Sequence, residues 1–447
     1  MSKWKLYKLE DVCDFQNGFA FKSTSFTNDG EPIIRISDIQ NGKIDDSDVV
    51  YFNPASYKED LSRFRVFPND ILIAMSGGTT GKIGINTTNK TFYLNQRVGV
   101  FRERTELNHD YLYYYLITKS EESLRIAAGA AQPNLSTAQI KSFVIPVPPL
   151  SEQQRIVDIL DNEITKIDAL KYNAENNLQN AKDLFQSFVN EAVAGRLYNN
   201  EKYSGVSVLK RLREEKSRLE KHKLIPIKSF VAPVGDSDTL PFSIPTNWAW
   251  CKLAEVSIIQ EGAGIRKFQY RDKGVQLLTV TNIIDGITSY IDEHKQCIFI
   301  DYDEYSAKYK QLTLRKGDIV CACSGGSWGK SAIYDSDTTM MLNTSTLRLR
   351  FWSDIGDNRY LYYLTKSRFF KNQLENQLSG MQPNFGYAHF SKILIPMPSL
   401  EEQKVISDLL ESAYEKCITL QQNFYNTVKL CNDLKQALLR KAFNGEL

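Results

Sequence analysis

The chain is written twice. Residues 1–197 return as residues 248–447 in the same order, offset by 244 at the front and 250 at the back. Lys8-Leu9 falls on Lys252-Leu253, Asp70-Ile71-Leu72 on Asp318-Ile319-Val320, and Ser76-Gly77-Gly78 on Ser324-Gly325-Gly326. Gln132-Pro133-Asn134 recurs as Gln382-Pro383-Asn384, Ile145-Pro146-Val147-Pro148 as Ile395-Pro396-Met397-Pro398, and Gly195-Arg196-Leu197 as Gly445-Glu446-Leu447. Two copies this long are not a solenoid, whose units are short and need several neighbours. They are a duplicated domain, which builds pseudo-two-fold symmetry into one chain. Duplex DNA has the same symmetry, so such a chain can meet two inverted half-sites at once. Duplication for stability alone gives the same repeat.

Composition is that of an ordinary soluble globular protein, with 42% hydrophobic and 24% charged residues among 447. That length suits two to four domains. No apolar run is long enough for a membrane span, and Met1-Ser2-Lys3-Trp4-Lys5 is no secretory signal. The seven cysteines form no C-x-x-C pair, and four histidines do not supply zinc spacings. They read as reduced core thiols of a cytoplasmic protein. Residues 1–150 carry 17 basic and 17 acidic side chains, and residues 248–400 carry 18 and 15. Strong non-specific DNA binders show a larger basic excess. Phosphate neutralisation would therefore come from local loops or a partner protein.

Each copy has two parts. The first, residues 1–150 or 248–400, alternates short β-branched and aromatic runs such as Ile71–Met75 and Thr346–Phe351 with helical patches such as Tyr111–Leu116 and Tyr360–Leu364. This predicts an α+β domain. The second part is a long helix. Between Ser151, a candidate N-cap, and Ala194 there is neither Pro nor Gly, and Gly195 suits a helix stop. Apolar or small residues at 156, 160, 164, 167, 170, 174, 178, 181, 185, 188 and 192 form a coiled-coil seam. Residues 406, 410, 413, 417, 420, 424, 428, 431, 434, 438 and 442 repeat it. The obvious partner of each helix is its twin, packed antiparallel. Residues 151–222 are thus a central helical region that includes the charged stretch Leu209–Lys216. Residues 223–247 are a proline-containing linker, and residues 401–447 a second helical region.

Several motifs invite other readings. Ser76 to Lys82 and Ser324 to Ser331 resemble phosphate-binding loops. The pattern's first glycine is replaced by Ser76 and Ser324, and Ile83 stands where the magnesium-binding hydroxyl belongs. Lys82-Ile83-Gly84-Ile85 reads as a strand where a nucleotide site needs a helix, which disfavours an NTPase. Asn53-Pro54-Ala55-Ser56-Tyr57 is two residues looser than the amino-methyltransferase motif and has no copy in the second half. No catalytic constellation emerges.

The Gly-rich turns serve better as places where backbone N–H groups and hydroxyls meet a phosphate or a groove. The candidate DNA-binding residues are Ser76, Gly77, Gly78, Thr79, Thr80, Lys82, Ser324, Gly325, Gly326, Ser327, Trp328 and Lys330, with Lys22, Arg266 and Lys267. Gln132, Asn134, Gln382 and Asn384 have amides suited to adenine, although their presence in both copies argues equally for a shared structural role. A purely structural hairpin is the competing reading of the turns.

A variable domain ending in Ile-Pro-x-Pro-x-Leu-x-Glu-Gln, followed by a long helix ending in Ala-(Val/Phe)-x-Gly-x-Leu, resembles the specificity subunit of Type I restriction-modification systems. The matching residues are Ile145–Gln153 with Ala192–Leu197, and Ile395–Gln403 with Ala442–Leu447. Leu240–Trp248 resembles that family's entry into its second target-recognition domain. The resemblance spans the chain. It implies two pseudo-symmetric α/β target-recognition domains joined by two long helices packed as an antiparallel coiled coil. It implies a non-catalytic, metal-free subunit whose domains each read half of a split target in double-stranded DNA. The helices would bind two modification (methyltransferase) subunits, and restriction (translocase and nuclease) subunits would join that core. No cofactor is implied in this chain; S-adenosylmethionine, ATP and Mg belong to the partners. An orphan or phase-variable relative without active partners would show the same sequence.

Overall fold

Continuous apolar runs in each copy become central strands. Ile71–Ala74 is buried at every position, as is its counterpart Ile319–Ala322, which a strand covered on both faces requires. The computed structural model describes residues 4–40, 42–128, 134–202, 204–222, 232–235, 238–285, 289–352, 356–378 and 383–447. The chain folds into two compact units, residues 1–174 with 426–447, and residues 175–425.

In the first unit, Ile71–Ala74 lies between Val98–Glu103 and Ile83–Ile85, antiparallel to both, and Cys13–Asn17 forms one edge. Lys43–Ile44 and Ile39–Gln40 extend the other side to six strands. A second, five-stranded sheet is centred on Glu31–Ile34, which pairs in parallel with Phe92–Leu94. Alternation assigns the faces. Ile71 and Ile73 enter a core shared with the helices, whereas Leu72 and Ala74 enter one shared with the second sheet. The second unit repeats this plan. Ile319 and Cys321 face the helices, and Val320 and Ala322 face the sheet built on Val275–Leu278. Here Ile283–Asp285 and Ser289–Ile291 form a hairpin of their own instead of extending the first sheet.

The long helices run Leu150–Val193 and Leu400–Asn444. The first begins one residue before the expected cap. The Pro149 carbonyl accepts from Glu152 and Gln153 N–H, so Ser151 lies inside the first turn. In the second copy Ser399 does cap, exchanging hydrogen bonds with Glu402 at 3.2 and 3.1 Å. The Gln of the boundary motif has a physical task in both copies. Gln153 is buried, accepts from Asn108 N–H at 2.7 Å and donates to the Pro148 carbonyl at 2.8 Å. Gln403 does the same with Asp357 at 2.9 Å and Pro398 at 3.1 Å. Each therefore ties its domain to the start of its helix.

The helices pair antiparallel as a coiled coil. In the first unit Lys435 meets Asp168 at 2.9 Å and Lys171 donates to Asn432 at 3.0 Å. In the second, Phe185 stacks on Tyr414 with centroids 5.4 Å apart, and the Cys417 thiol donates to the Ala181 carbonyl at 3.2 Å. Ile156, Leu160, Ile164, Ile167, Ala174, Ala181 and Ala192 are buried as the seam predicts, as are Ile406, Leu410, Cys417, Cys431 and Ala442. Leu170, Leu420 and Leu434 are not; they are 58%, 46% and 51% exposed. The seam passes one residue later, through half-buried Lys171, buried Gln421 and half-buried Lys435. A 3.6-residue turn drifts against a 3.5-residue repeat, and polar side chains with long stems fill those levels.

Each helix ends on the other copy's entry. Gly195 (φ +74°) and Gly445 (φ +77°) adopt the left-handed conformation of a helix stop. A side chain at Gly195 would meet the Trp248 ring at 3.2 Å, and one at Gly445 would touch Trp4 at 3.6 Å. Leu439, Ala442 and Phe443 complete the first unit's core, and Val189, Ala192 and Val193 complete the second's. The folded units therefore differ from the sequence repeats: each borrows a helix end from the other copy. The charged stretch after the first long helix is the longer helix Gly205–Lys221. Arg213 holds buried Glu255 at 2.8 Å and so fastens it to the second domain. Among the described residues, no helix is long and apolar enough to cross a membrane.

Candidate nucleic-acid interface

The Gly-rich turn follows the central strand in both domains. Gly77–Thr79 and Gly325–Ser327 form one 3-10 turn each, entered by a glycine with φ +73° or +61°, a conformation that disfavours other residues. Ile83–Ile85 and Ser331–Ile333 then return as antiparallel strands. A strand where a phosphate loop needs a helix leaves the nucleotide reading without its scaffold.

Three further segments join each turn. Ser76 forms a β-bridge with Asn134, and Ser324 with Asn384. Leu135 N–H donates to the Met75 carbonyl at 2.8 Å, and Phe385 N–H to the Cys323 carbonyl at 2.8 Å. Met75 and Cys323 in turn donate to the carbonyls of Arg97 and Ser345. Phe19 bridges to Asn95, and Ala263 to Asn343. Four loops thus form one ledge at the same end of each sheet.

Side chains on the ledge divide by where their polar groups point. Gly78, Gly325 and Gly326 are exposed; Gly77 and Thr79 are half-buried. Thr80 is 4% exposed, and its hydroxyl donates to the Gly77 carbonyl at 2.7 Å. Ser76 is buried and Ser324 and Ser327 are half-buried. Trp328 is half-buried, its ring 5.2 Å from that of Phe385. Asn134 is exposed and accepts from Arg97 at 3.1 Å. Asn384 is exposed and borders a cleft of about 700 Å³ with Gly264, Thr344, Ser345 and His389. Lys82 is exposed and lines a different cavity, about 530 Å³, with Lys43, Tyr113, Asp168 and Lys435. Lys330 is half-buried. Lys22, Arg266 and Lys267 are exposed beside equivalent 3-10 turns, Ser23–Ser25 and Lys267–Gln269. Gln132 and Gln382 lie outside the described residues.

Two residues escape a reading by motif. Arg97 sits on the first ledge, where the second has Ser345; no spacing rule flags it. Phe268 is 80% exposed on the turn between Lys267 and Gln269, where the first domain has Thr24. An aromatic residue beside Arg266 and Lys267 was the available signal.

The chemistry on offer is recognition. Exposed backbone, amides, guanidiniums and an aromatic tip can meet phosphates and base edges. Burial pushes the Cys13 and Cys321 thiols up to about 12 and those of Cys251 and Cys323 well above their ordinary value, so none supplies a thiolate nucleophile. Among the described residues, no group of three or more His, Cys, Asp or Glu could hold a metal ion. Asn53-Pro54-Ala55-Ser56-Tyr57 is structural. Asn53 caps a turn through Ala55 N–H at 3.0 Å, and Tyr57 packs edge-on against Phe19, Phe21 and Phe52.

Residues 1–180 and 245–430 match the family described as Type I restriction modification DNA specificity domain. The chain is 24% identical over 459 residues to the Type I restriction enzyme EcoBI specificity subunit of Escherichia coli, covering 99% of this chain and 86% of that one. It is 27% identical over 351 residues to the MjaVIII specificity subunit of Methanocaldococcus jannaschii, covering 77% and 72%. A chain solved in work on complex assembly and conformational transition of the type I R-M system superposes with TM-score 0.69 at 18% identity, over 99% of this chain and 98% of that one. Two copies of one specificity domain, each presenting the same ledge, make this chain a member of the Type I restriction-modification specificity-subunit family, with the DNA-recognition role of that family.

Proposed function

We infer that each ledge reads one half of a bipartite DNA target, and that the antiparallel helices set the number of base pairs between the halves. The observation that carries this is the pairing of equivalence with difference. The backbone of the ledge repeats between domains, while its side chains change from Thr80 to Trp328, Arg97 to Ser345 and Thr24 to Phe268. Base identity is read by side chains, and backbone contacts fix position. Gly77, Gly78, Gly325, Gly326 and the neighbouring lysines hold the phosphates; Arg97, Trp328, Asn134 and Asn384 address the bases.

The helices carry the partners. Leu170 and Leu420 are equivalent and exposed, as are Leu184 and Leu434, at 69% and 51%. Large apolar side chains left open at repeat-matched positions suit two copies of one partner. These partners are the modification subunits, which supply S-adenosylmethionine and methylate adenine. Restriction subunits, with ATP and Mg, join that core. Inserting the same few residues at equivalent depth in both helices lengthens the spacer in methylome data and leaves both half-sites unchanged. An unchanged spacer overturns this role of the helices.

A further inference from the structure

The second recognition domain holds positive charge that its sheet does not balance. Asp318 is fully buried and faces two guanidiniums, Arg348 at 3.2 Å and Arg350 at 3.2 Å. The first domain meets the same need with one, Arg102 on Asp70 at 2.6 Å, and Val100 stands where Arg348 does. The second domain has thus gained a buried cation without gaining a carboxylate.

That cluster opens into a cavity of about 420 Å³ between the helix Gly205–Lys221 and the edge strand Ser257–Glu261. Lys216, Arg315, Arg348, Arg350, Gln260 and Trp352 line it, against a single lining acid, Glu220. Three buried polar atoms of the cluster have no hydrogen-bond partner, the donors Arg348 Nε and Trp352 Nε1 and the acceptor Asp318 Oδ1, which keeps only its ion pair with Arg350. Arg348 is 7% exposed. Burial lowers its pKa, Asp318 opposes this, and neighbouring Arg350 and Arg315 lower it further. Buried donors left unpaired are costly, and crowded guanidiniums are relieved by an anion with several acceptor oxygens. A carboxylate offers two oxygens; donors converging from a helix, two strands and a loop suit a tetrahedral group better.

We propose that this cavity binds a phosphoryl group, carried either by a free phosphoanion or by the DNA backbone. Among the described residues, the Gly205–Lys221 helix has no counterpart packed on the first domain, and the site occurs once. Tyr387 lines both this cavity and the cleft at Asn384, but the proposal does not depend on the ledge reading bases.

The test titrates the full chain with inorganic phosphate and with pyrophosphate, against chloride at matched ionic strength, by calorimetry and tryptophan fluorescence. Lys216→Gln and Arg315→Gln remove charge without touching the Asp318 pairing, and thermal melts confirm that they fold. Saturable pyrophosphate binding in the native chain, weakened about tenfold or more in both variants, identifies a free phosphoanion. A second arm measures binding to a random-sequence duplex over a salt series. If pyrophosphate does not bind but each variant lowers the salt slope by about one, the phosphoryl group belongs to DNA. No saturable anion binding together with an unchanged duplex slope overturns the proposal.

Discussion

The first recognition domain balances its buried carboxylate with one arginine, and the second balances its own with two; elsewhere in the frame the domains are nearly interchangeable. Tyr111 donates to the Pro146 carbonyl and Tyr360 to the Pro396 carbonyl, each at 2.9 Å. Lys5–Lys8 pairs with Val144–Val147 in the same antiparallel register as Ala249–Lys252 with Leu394–Met397. Among the described residues, the differences gather on loops, on sheet edges such as the separate hairpin Ile283–Asp285 with Ser289–Ile291, and on one added helix. Duplication has kept what positions the ledge and released what stands on it. If each ledge reads one half-site, as proposed above, recognition can vary in one half without disturbing the other.

The sharpest way to break this comparison is to exchange residues 1–150 for the equivalent domain of a relative. One half of the methylated sequence should be replaced entirely and the other retained, as methylome sequencing reads directly. A change in both halves would show that the domains do not read independently. Next in size is the buried carboxylate. Asp318→Ala strands Arg348 and Arg350 and should cost about 3–5 kcal/mol. Asp70→Ala should cost less, because Arg102 is 37% exposed and stays solvated. Urea unfolding of the full chain ranks them, and equal costs would erase the asymmetry.

On the ledge, Trp328→Ala should relax the second half-site and Arg97→Ala the first, each by about 1–3 kcal/mol of discrimination. Competition binding with single-base variants of each half-site measures this; a loss spread over both halves would remove these residues from base reading. Tyr111→Phe and Tyr360→Phe probe the shared frame. Each should lose about 0.5–1.5 kcal/mol, and unequal losses would mean that the frame has diverged too. Smallest of all, Lys82→Ala should weaken binding across sequences and flatten the salt dependence by about one unit of slope. A native slope in gel-shift titrations of the assembled methyltransferase would take Lys82 out of the interface.

Most of the fold was legible because it rests on patterns that a chain must carry locally. Ile71–Ala74 and Ile319–Ala322 announce buried strands, and the absence of Pro and Gly after Leu150 announces a long helix. The seam was legible only to within one residue. Leu170 looks more like a core residue than Lys171, and only the antiparallel neighbour Asn432 decides between them. The candidate site was legible in pieces. The Gly-rich turn and the Gln-Pro-Asn segment each stand out, but their adjacency depends on the bridges Ser76–Asn134 and Ser324–Asn384, which no local rule contains. The inward hydroxyl of Thr80 and the packing of Trp328 on Phe385 depend likewise on tertiary neighbours.

The exchange of helix ends also sets a timetable. The first domain leaves the ribosome first, yet Leu439, Ala442 and Phe443 belong to its core, and Arg155 waits for the carbonyl of Leu447, 292 residues away. At about 5–20 residues per second, that separation corresponds to roughly 15–60 s of translation. Throughout that interval Tyr111, Ile156 and Leu160 lack their final cover, while the second unit, held within residues 175–425, can close first. The half of the protein that is made earliest is finished last, and its apolar core stays open until the far helix end arrives.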